Sequence, residues 1–473
     1  MKRIAIIGGG ASGLSAAYYL EKQRRRGAPL EYVLFERAGR LGGVLASERA
    51  EGCLIEGGPD SFLTEKPWAL TLCRELDLGG QIIGSNDARR KTYIVVNHRM
   101  AELPDGLMLM VPTRLLPTLL TPLFSWPTKL RMAAELFRSP RPPAPDESVA
   151  AFIERHFGAE VVDRLADPLL SGVYGADCGH LSVQAVLPRF VDMERKYGSL
   201  TRGMLAARRR MTQMLGGRPR PPLFSSLQAG MQQLVDALAP CLETQAVRLG
   251  CPVEALQFSG NSWEVMTPGR RERFAAVIIA TPAHVAGGLL AGAEARLADE
   301  LNGISYSSSV TVSLIYDSHG LAGRDRGFGF LVPRSEGRRL LACTFVHNKF
   351  PHRAPDGRGI VRGFLGGLRD PQAMEMSDDE IVATLRRELR ALTGISAEPR
   401  AARIYRWERA MAQPSVGHLE RLARMKTQLS SLPGLALAGN YFRGIGVPDA
   451  IRTGQEAANQ VGAGAGVVPV IPK

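Results

Sequence analysis

Ile4-Ala5-Ile6-Ile7 is an uninterrupted apolar run of the length and composition of a strand buried on both faces. A helical stretch follows from Leu14 to Leu20, and Tyr32-Val33-Leu34-Phe35 predicts a second buried strand. The same texture returns in mid-chain. There Gly230 to Leu242 reads as helical, Val253-Glu254-Ala255-Leu256 and Trp263-Glu264-Val265 alternate as strands, and Phe274 to Ala280 is an apolar strand stopping at Thr281-Pro282-Ala283. It returns again near the end, as the strand Leu435-Ala436-Leu437-Ala438, a glycine-rich turn through Gly444 and Gly446, and a helix opening near Pro448-Asp449. Residues 85–215 differ: helical stretches rich in Leu, Met and Pro (Leu107 to Leu136) alternate with basic patches, and Ser139 to Pro145 reads as a loop. Val310 to Ile315 and Ile360 to Gly367 predict strands of a second sheet, and the small-residue tail after Gly462 is expected to be disordered.

The turn after the first strand gives this pattern its chemistry. Gly8-Gly9-Gly10-Ala11-Ser12-Gly13 supplies G-x-G-x-x-G between strand and helix. One glycine serves a tight turn, one lets backbone approach a pyrophosphate, and one lets helix pack closely on strand. The helix start offers unpaired N–H groups and a positive dipole end to phosphates. Glu36, at the end of the second strand, stands where an acid accepts bonds from a ribose hydroxyl. The glycine pattern alone is a common turn, but with strand, helix, second strand and acid in register it predicts a dinucleotide site. Gly42 and Gly43 suit a further close approach to a phosphate or ring edge.

At 473 residues the chain supports two or three domains, and 45% hydrophobic with 22% charged residues is ordinary for a globular protein. No secretory signal is expected, since Lys2-Arg3 leads straight into the first strand, and the longest apolar stretch, Leu103 to Trp126, is broken by Asp105, Arg114 and prolines. The six cysteines show no C-x-x-C or zinc spacing and read as reduced thiols; His347 and His352 match no common metal motif, so no metal is expected. A formal charge of +13, with basic runs at Arg24-Arg25-Arg26 and Arg208-Arg209-Arg210, fits an anionic membrane surface or anionic substrate better than nucleic acid.

Several segments together carry a resemblance: Arg40-Leu41-Gly42-Gly43, Glu56-Gly57-Gly58-Pro59-Asp60-Ser61-Phe62-Leu63, Ser171-Gly172-Val173-Tyr174-Gly175, Phe350-Pro351-His352-Arg353-Ala354-Pro355, Phe364-Leu365-Gly366-Gly367, Val416-Gly417-His418-Leu419, and Gly439-Asn440-Tyr441 through Gly446-Val447-Pro448-Asp449. From the first strand to about residue 460 the chain resembles the oxygen-dependent protoporphyrinogen oxidases, flavoproteins related to amine oxidases and phytoene desaturases. The resemblance implies an α/β (α+β) fold with three parts. They are a discontinuous Rossmann-like FAD-binding domain (1–85, 216–290, 416–462), a substrate domain with a mixed β-sheet (291–415), and a helical, membrane-contacting insert with part of the substrate domain (86–215), followed by the tail 463–473.

It further implies noncovalent FAD held by Gly8, Gly10, Ser12, Gly13, Glu36, Arg37, Gly42, Gly43, Gly57, Gly58, Val253, Trp407, Ile445, Gly446 and Val447. Val253 also reads as an ordinary strand residue and Trp407 as a core aromatic. Leu331 and Phe350 are implied against the faces of a macrocycle, core packing being an equal reading for Phe350; Gly172 joins them, with Arg49, or Lys66 in its place, for the propionates. No side-chain acid or base is implied: hydride passes to flavin N5, and O2 reoxidises the flavin to give hydrogen peroxide. The implied activity is six-electron oxidation of protoporphyrinogen IX to protoporphyrin IX in porphyrin biosynthesis. Alternatives are coproporphyrinogen III oxidation by the same mechanism, an amine or carotenoid oxidoreductase of the same fold, and a flavin-binding scaffold without turnover. The resemblance leaves room for a homodimer and implies a cytoplasmic protein, peripheral on the inner face of the cell membrane if the insert touches lipid.

Overall fold

The computed structural model describes residues 1–462 except Pro143, Arg218 and Arg443, so the tail expected to be disordered lies outside the described residues. One five-stranded sheet is wholly parallel, ordered Val247–Arg248, Leu30–Phe35, Lys2–Ile7, Ala276–Ile279, Leu435–Leu437. Its strands come from the start, middle and end of the chain. Both faces are covered, which explains the unbroken apolar runs. Ile4 and Ile6 pack with Leu14, Ala17 and Ile451 of the Ala11–Arg25 and Val447–Gly462 helices. Ala5 and Ile7 face the other way, onto Trp263, Val277 and Leu290.

Three expectations change here. The apolar stretch Phe274 to Ala280 is divided: Arg270–Phe274 belongs to an antiparallel meander, and Ala276–Ile279 enters the parallel sheet after Ala275 has bonded its N–H to Arg3 O. Val253 precedes its strand, which is Ala255–Ser259. Leu107 to Leu136 is a short hairpin and two short helices, Leu115–Leu120 and Trp126–Ala134, because its prolines and polar residues interrupt longer helices.

The second sheet has seven strands in the order Ala401–Ala412, Tyr306–Asp317, Arg358–Gly366, Ala342–Phe345, Gly329–Leu331, Thr92–Val96, Arg99–Glu102. It is mixed, with one parallel pairing between Gly329–Leu331 and Thr92–Val96. The Asp378–Thr393 helix, opened by a Ser377/Glu380 capping box, lays Ile381, Leu385 and Leu389 on one face of this sheet. Residues 86–215 divide between the two strands at 92–102 and a helical cluster built on Phe152, Ile153, Phe157 and Leu165. No helix among the described residues is long and apolar enough to cross a membrane.

Candidate functional site

The glycine turn meets the demands its sequence implies. A Cβ on Gly13 would lie 1.8 Å from Gly8 O, and Gly8 itself has φ +103°, so both positions exclude larger residues. The Ala280 carbonyl crosses beside Gly8, 2.7 Å from where its Cβ would be, which places the Thr281-Pro282 turn at the glycine turn. A Cβ on Gly10 would stand in open space at the head of the Ala11–Arg25 helix. Glu36 Oε2 accepts the Gly9 N–H at 2.6 Å and Oε1 the Ala38 N–H at 2.7 Å, so the carboxylate is fixed while keeping lone pairs for a ligand hydroxyl. Arg37 is exposed beside it. Cys251 N–H bonds Glu36 O, which carries the 251–254 segment, Val253 included, alongside the acid.

Gly42 N–H bonds Gly9 O at 2.8 Å, and a Cβ on Gly43 would meet Gly10 Cα at 3.3 Å. Arg40 holds this turn by donating to Gly43 O at 2.5 Å. Gly10 and Gly43 together form a cradle that side chains would fill, at the N-terminus of a helix. These features fit a dinucleotide pyrophosphate.

Gly57 and Gly58 are the next pair. Gly57 packs its Cα on the Tyr405 ring, and a Cβ on Gly58 would lie 1.9 Å from Val44 O. Trp407, offset-parallel to Tyr405 with planes 3° apart, donates its indole N–H to Gly57 O at 2.8 Å. The Val447–Gly462 helix begins just after Ile445 and Gly446, and its first-turn Asp449 is buried and paired with Lys66 at 2.5 Å. Lys66, the alternative to Arg49 for the propionates, is thereby tied to the last helix.

The candidate substrate residues are only partly assembled. Gly172 and Leu331 meet, with Leu331 Cδ2 3.6 Å from a Cβ on Gly172. Phe350, in contrast, has no exposed surface: its ring lies under the Arg353 guanidinium at 4.6 Å and beside Lys349, so it is a core residue and not a ring face for a ligand. Arg49 is exposed on the strand Ser47–Ala50, part of a hairpin that packs through Ala50, Cys53 and Ile55 on Ile315 and Ile360, in a different cluster from Gly172 and Leu331.

Sequence reasoning assigned no role to a buried ionic cluster beneath Gly57 and Gly58. Arg353 Nη2 bonds Glu56 Oε1 at 3.1 Å, Asp60 O at 2.7 Å and Ser226 Oγ at 2.7 Å. Lys349 Nζ bonds both Asp60 carboxylate oxygens at 3.0 Å and Ser61 Oγ at 3.1 Å. Arg362 Nη2 reaches Gly58 O at 2.6 Å. Burial works to raise the Asp60 carboxyl, but Lys349, Arg353 and Arg362 hold it well below the carboxylate range. Burial pushes Glu56 upward against the pull of Arg353. The sequence signal was a lone arginine in the apolar strand Ile360-Val361-Arg362-Gly363-Phe364. Tyr174, in the Ser171–Gly175 segment, has a role the sequence does not show. Its carbonyl accepts Gln413 Nε2 at 2.6 Å and Ser307 Oγ at 3.0 Å, and burial, then Asp449, pushes its phenol up to about 12.

Elsewhere Asp167, Asp177 and Cys178 bring ligand atoms within 4.8 Å of one another, but Arg369 and Arg334 already neutralise the two acids.

A parallel sheet gathered from three chain segments, with an acid-anchored glycine cradle at the first helix start, defines a dinucleotide-binding protein, and its family makes the dinucleotide FAD and the protein a flavin-dependent oxidoreductase. Residues 11–462 match the flavin containing amine oxidoreductase family, and the chain belongs to it. It is 32% identical over 461 residues to the coproporphyrinogen III oxidase of Bacillus subtilis, covering 97% of each chain. It is 29% identical to chloroplast protoporphyrinogen oxidase 1 of Spinacia oleracea, covering 96% of this chain and 83% of that one. A crystal structure from Exiguobacterium sp. 255-15, bearing a provisional protoporphyrinogen oxidase name, superposes with a TM-score of 0.86 at 30% identity, covering 98% of both chains. The expected family thus stands.

Proposed function

We propose that this chain oxidises a porphyrinogen to the corresponding porphyrin, with noncovalently held FAD as the immediate acceptor and O2 as the final one. The observation that carries the reading is the Glu36–Gly9 anchor within a cradle formed by Gly10 and Gly43, completed by Gly57-Gly58 from the loop that the substrate sheet grips. When bound, FAD supplies hydride acceptance. The chain's own residues orient and enclose: Glu36 fixes the ribose end, the Ala11–Arg25 helix start receives the pyrophosphate, and Ile445 to Val447 present a second helix start to the ring. Leu331 and Gly172 offer an apolar contact to a flat macrocycle.

Protoporphyrinogen IX is the substrate expected from the sequence. The second reading, coproporphyrinogen III, is favoured by the names of relatives from Bacillus subtilis, Staphylococcus aureus and Propionibacterium freudenreichii, 32%, 28% and 31% identical. Initial rates of porphyrin fluorescence with each substrate give two kcat/KM values. A tenfold preference selects one substrate, and turnover of neither overturns the proposal.

We also propose that residues 115–137 rest on an anionic membrane surface. Leu116, Leu120, Trp126, Leu130 and Phe137 are each at least 67% exposed on one short stretch, in a chain of net charge +13. Co-sedimentation with phosphatidylglycerol vesicles that falls in a Leu120→Glu/Phe137→Glu variant supports this; equal sedimentation contradicts it.

A further inference from the structure

The Gly57 carbonyl oxygen receives three donors, all from the seven-stranded sheet: Thr311 Oγ1 at 2.8 Å, Trp407 Nε1 at 2.8 Å and Arg362 Nη2 at 3.3 Å. A carbonyl oxygen has two lone pairs, so this acceptor is saturated. It belongs to the same peptide unit as the Gly58 N–H. In a trans peptide, C=O and N–H point in opposite directions. The sheet therefore occupies the carbonyl side, and the Gly58 N–H is turned away from it. Among the described residues, no backbone acceptor takes that N–H. Hydrogen bonds to a carbonyl polarise the peptide and strengthen its N–H as a donor.

Arg362 adds charge to this arrangement. It is 3% exposed, and among the described residues no carboxylate oxygen lies within 4 Å of it. Asp60 and Glu56 are engaged by Lys349 and Arg353, so Arg362 spends its Nη2 on the two glycine carbonyls while its Nε is buried without a partner. Three buried cations, Lys349, Arg353 and Arg362, stand against two acids, Glu56 and Asp60. A buried charge without a counterion is costly. Thr311, Trp407 and Arg362 are well separated in sequence and converge on one atom.

We propose that Arg362, Thr311 and Trp407 are positioning residues that turn the Gly57–Gly58 peptide into a positively biased edge of the flavin site, favouring the electron-rich reduced cofactor. The inference rests on the FAD reading above, since it takes Gly57 and Gly58 as neighbours of the ring. None of the three side chains needs to touch the substrate. They act through one peptide, and their effect is on the equilibrium between oxidised and reduced flavin.

The test is the midpoint potential of the bound flavin, measured against a reference dye in the purified holoprotein. Thr311→Val keeps the shape of a buried strand residue and removes only the hydroxyl. Arg362→Met removes the charge, and Arg362→Lys keeps it. Tyr405→Phe, which loses the neighbouring bond to Glu48 but leaves Gly57 O untouched, is the control. Thr311→Val and Arg362→Met are expected to lower the reduced-to-oxidised ratio at fixed poise. The Arg362→Met change is tenfold or more, which is about 30 mV for a two-electron couple. Arg362→Lys restores most of the ratio, and Tyr405→Phe leaves it unchanged. Potentials of Thr311→Val and Arg362→Met equal to wild type, with flavin bound, overturn this inference alone. Wild-type protein that neither carries nor rebinds FAD overturns the cofactor reading and this inference together.

Discussion

Gly454 of the last helix lies against the Ser12 carbonyl of the first, so closely that a Cβ at 454 would stand 2.1 Å from that oxygen. Ser15 Oγ donates to Ile451 O at 2.9 Å at the same crossing. The two ends of the chain are thereby locked together behind the glycine turn. Gly454→Val forces the helices apart and is expected to cost about 1–3 kcal/mol by overpacking. Thermal unfolding should show a lowered Tm, with FAD released at lower temperature than from wild type. An unchanged Tm would mean that the crossing has slack.

Glu36 faces two backbone donors, Gly9 and Ala38, with its two carboxylate oxygens. Glu36→Gln replaces one acceptor with an NH2 group, which confronts one of those N–H groups. The expected loss is about 1–3 kcal/mol in FAD binding, roughly 5- to 150-fold in Kd. Titration of apoprotein with FAD by fluorescence quenching measures it.

Much of the cofactor unit was legible because a parallel strand buried on both faces writes itself as a continuous apolar run. Ile4 to Ile7 and Leu435 to Ala438 could be placed for this reason, and the glycines between strand and helix carry steric demands that no other residue meets. The split between Phe274 and Ala276 was not legible, because the apolar pattern continues through the point where the chain leaves one sheet for another. The ionic cluster was hidden for another reason. Apart from Arg362 in its apolar strand, the members Glu56, Asp60, Lys349 and Arg353 look like ordinary surface charges until folding brings positions nearly 300 residues apart into contact. Phe350 shows the converse: its aromatic ring suits a macrocycle, but the cations beside it seal it into the core.

In the helical cluster, Glu194 is bonded by Arg155, at Nη2, 2.7 Å away, and lies 3.2 Å from His156 Nε2. Burial would raise its carboxyl, but Arg155 and His156 hold it down at about 2. A depressed carboxylate contributes stability above its unfolded pKa, and that contribution is lost as pH falls from about 4.5 towards 2. The contribution at neutral pH is at most about 3 kcal/mol. Glu194→Gln should therefore be less stable than wild type to urea at pH 7, with the gap closing under acid conditions. A gap independent of pH would remove the ionised carboxylate from the explanation.

We propose above that a porphyrinogen gives its electrons to FAD held in the site around Glu36, Gly57 and Gly58. Anaerobic titration of the holoprotein with protoporphyrinogen IX or coproporphyrinogen III, followed by flavin absorbance and porphyrin fluorescence, tests it most directly. Three flavins should bleach for each porphyrin formed, and the oxidised spectrum should return when air is admitted. A flavin that stays oxidised in the presence of both substrates would contradict the proposal.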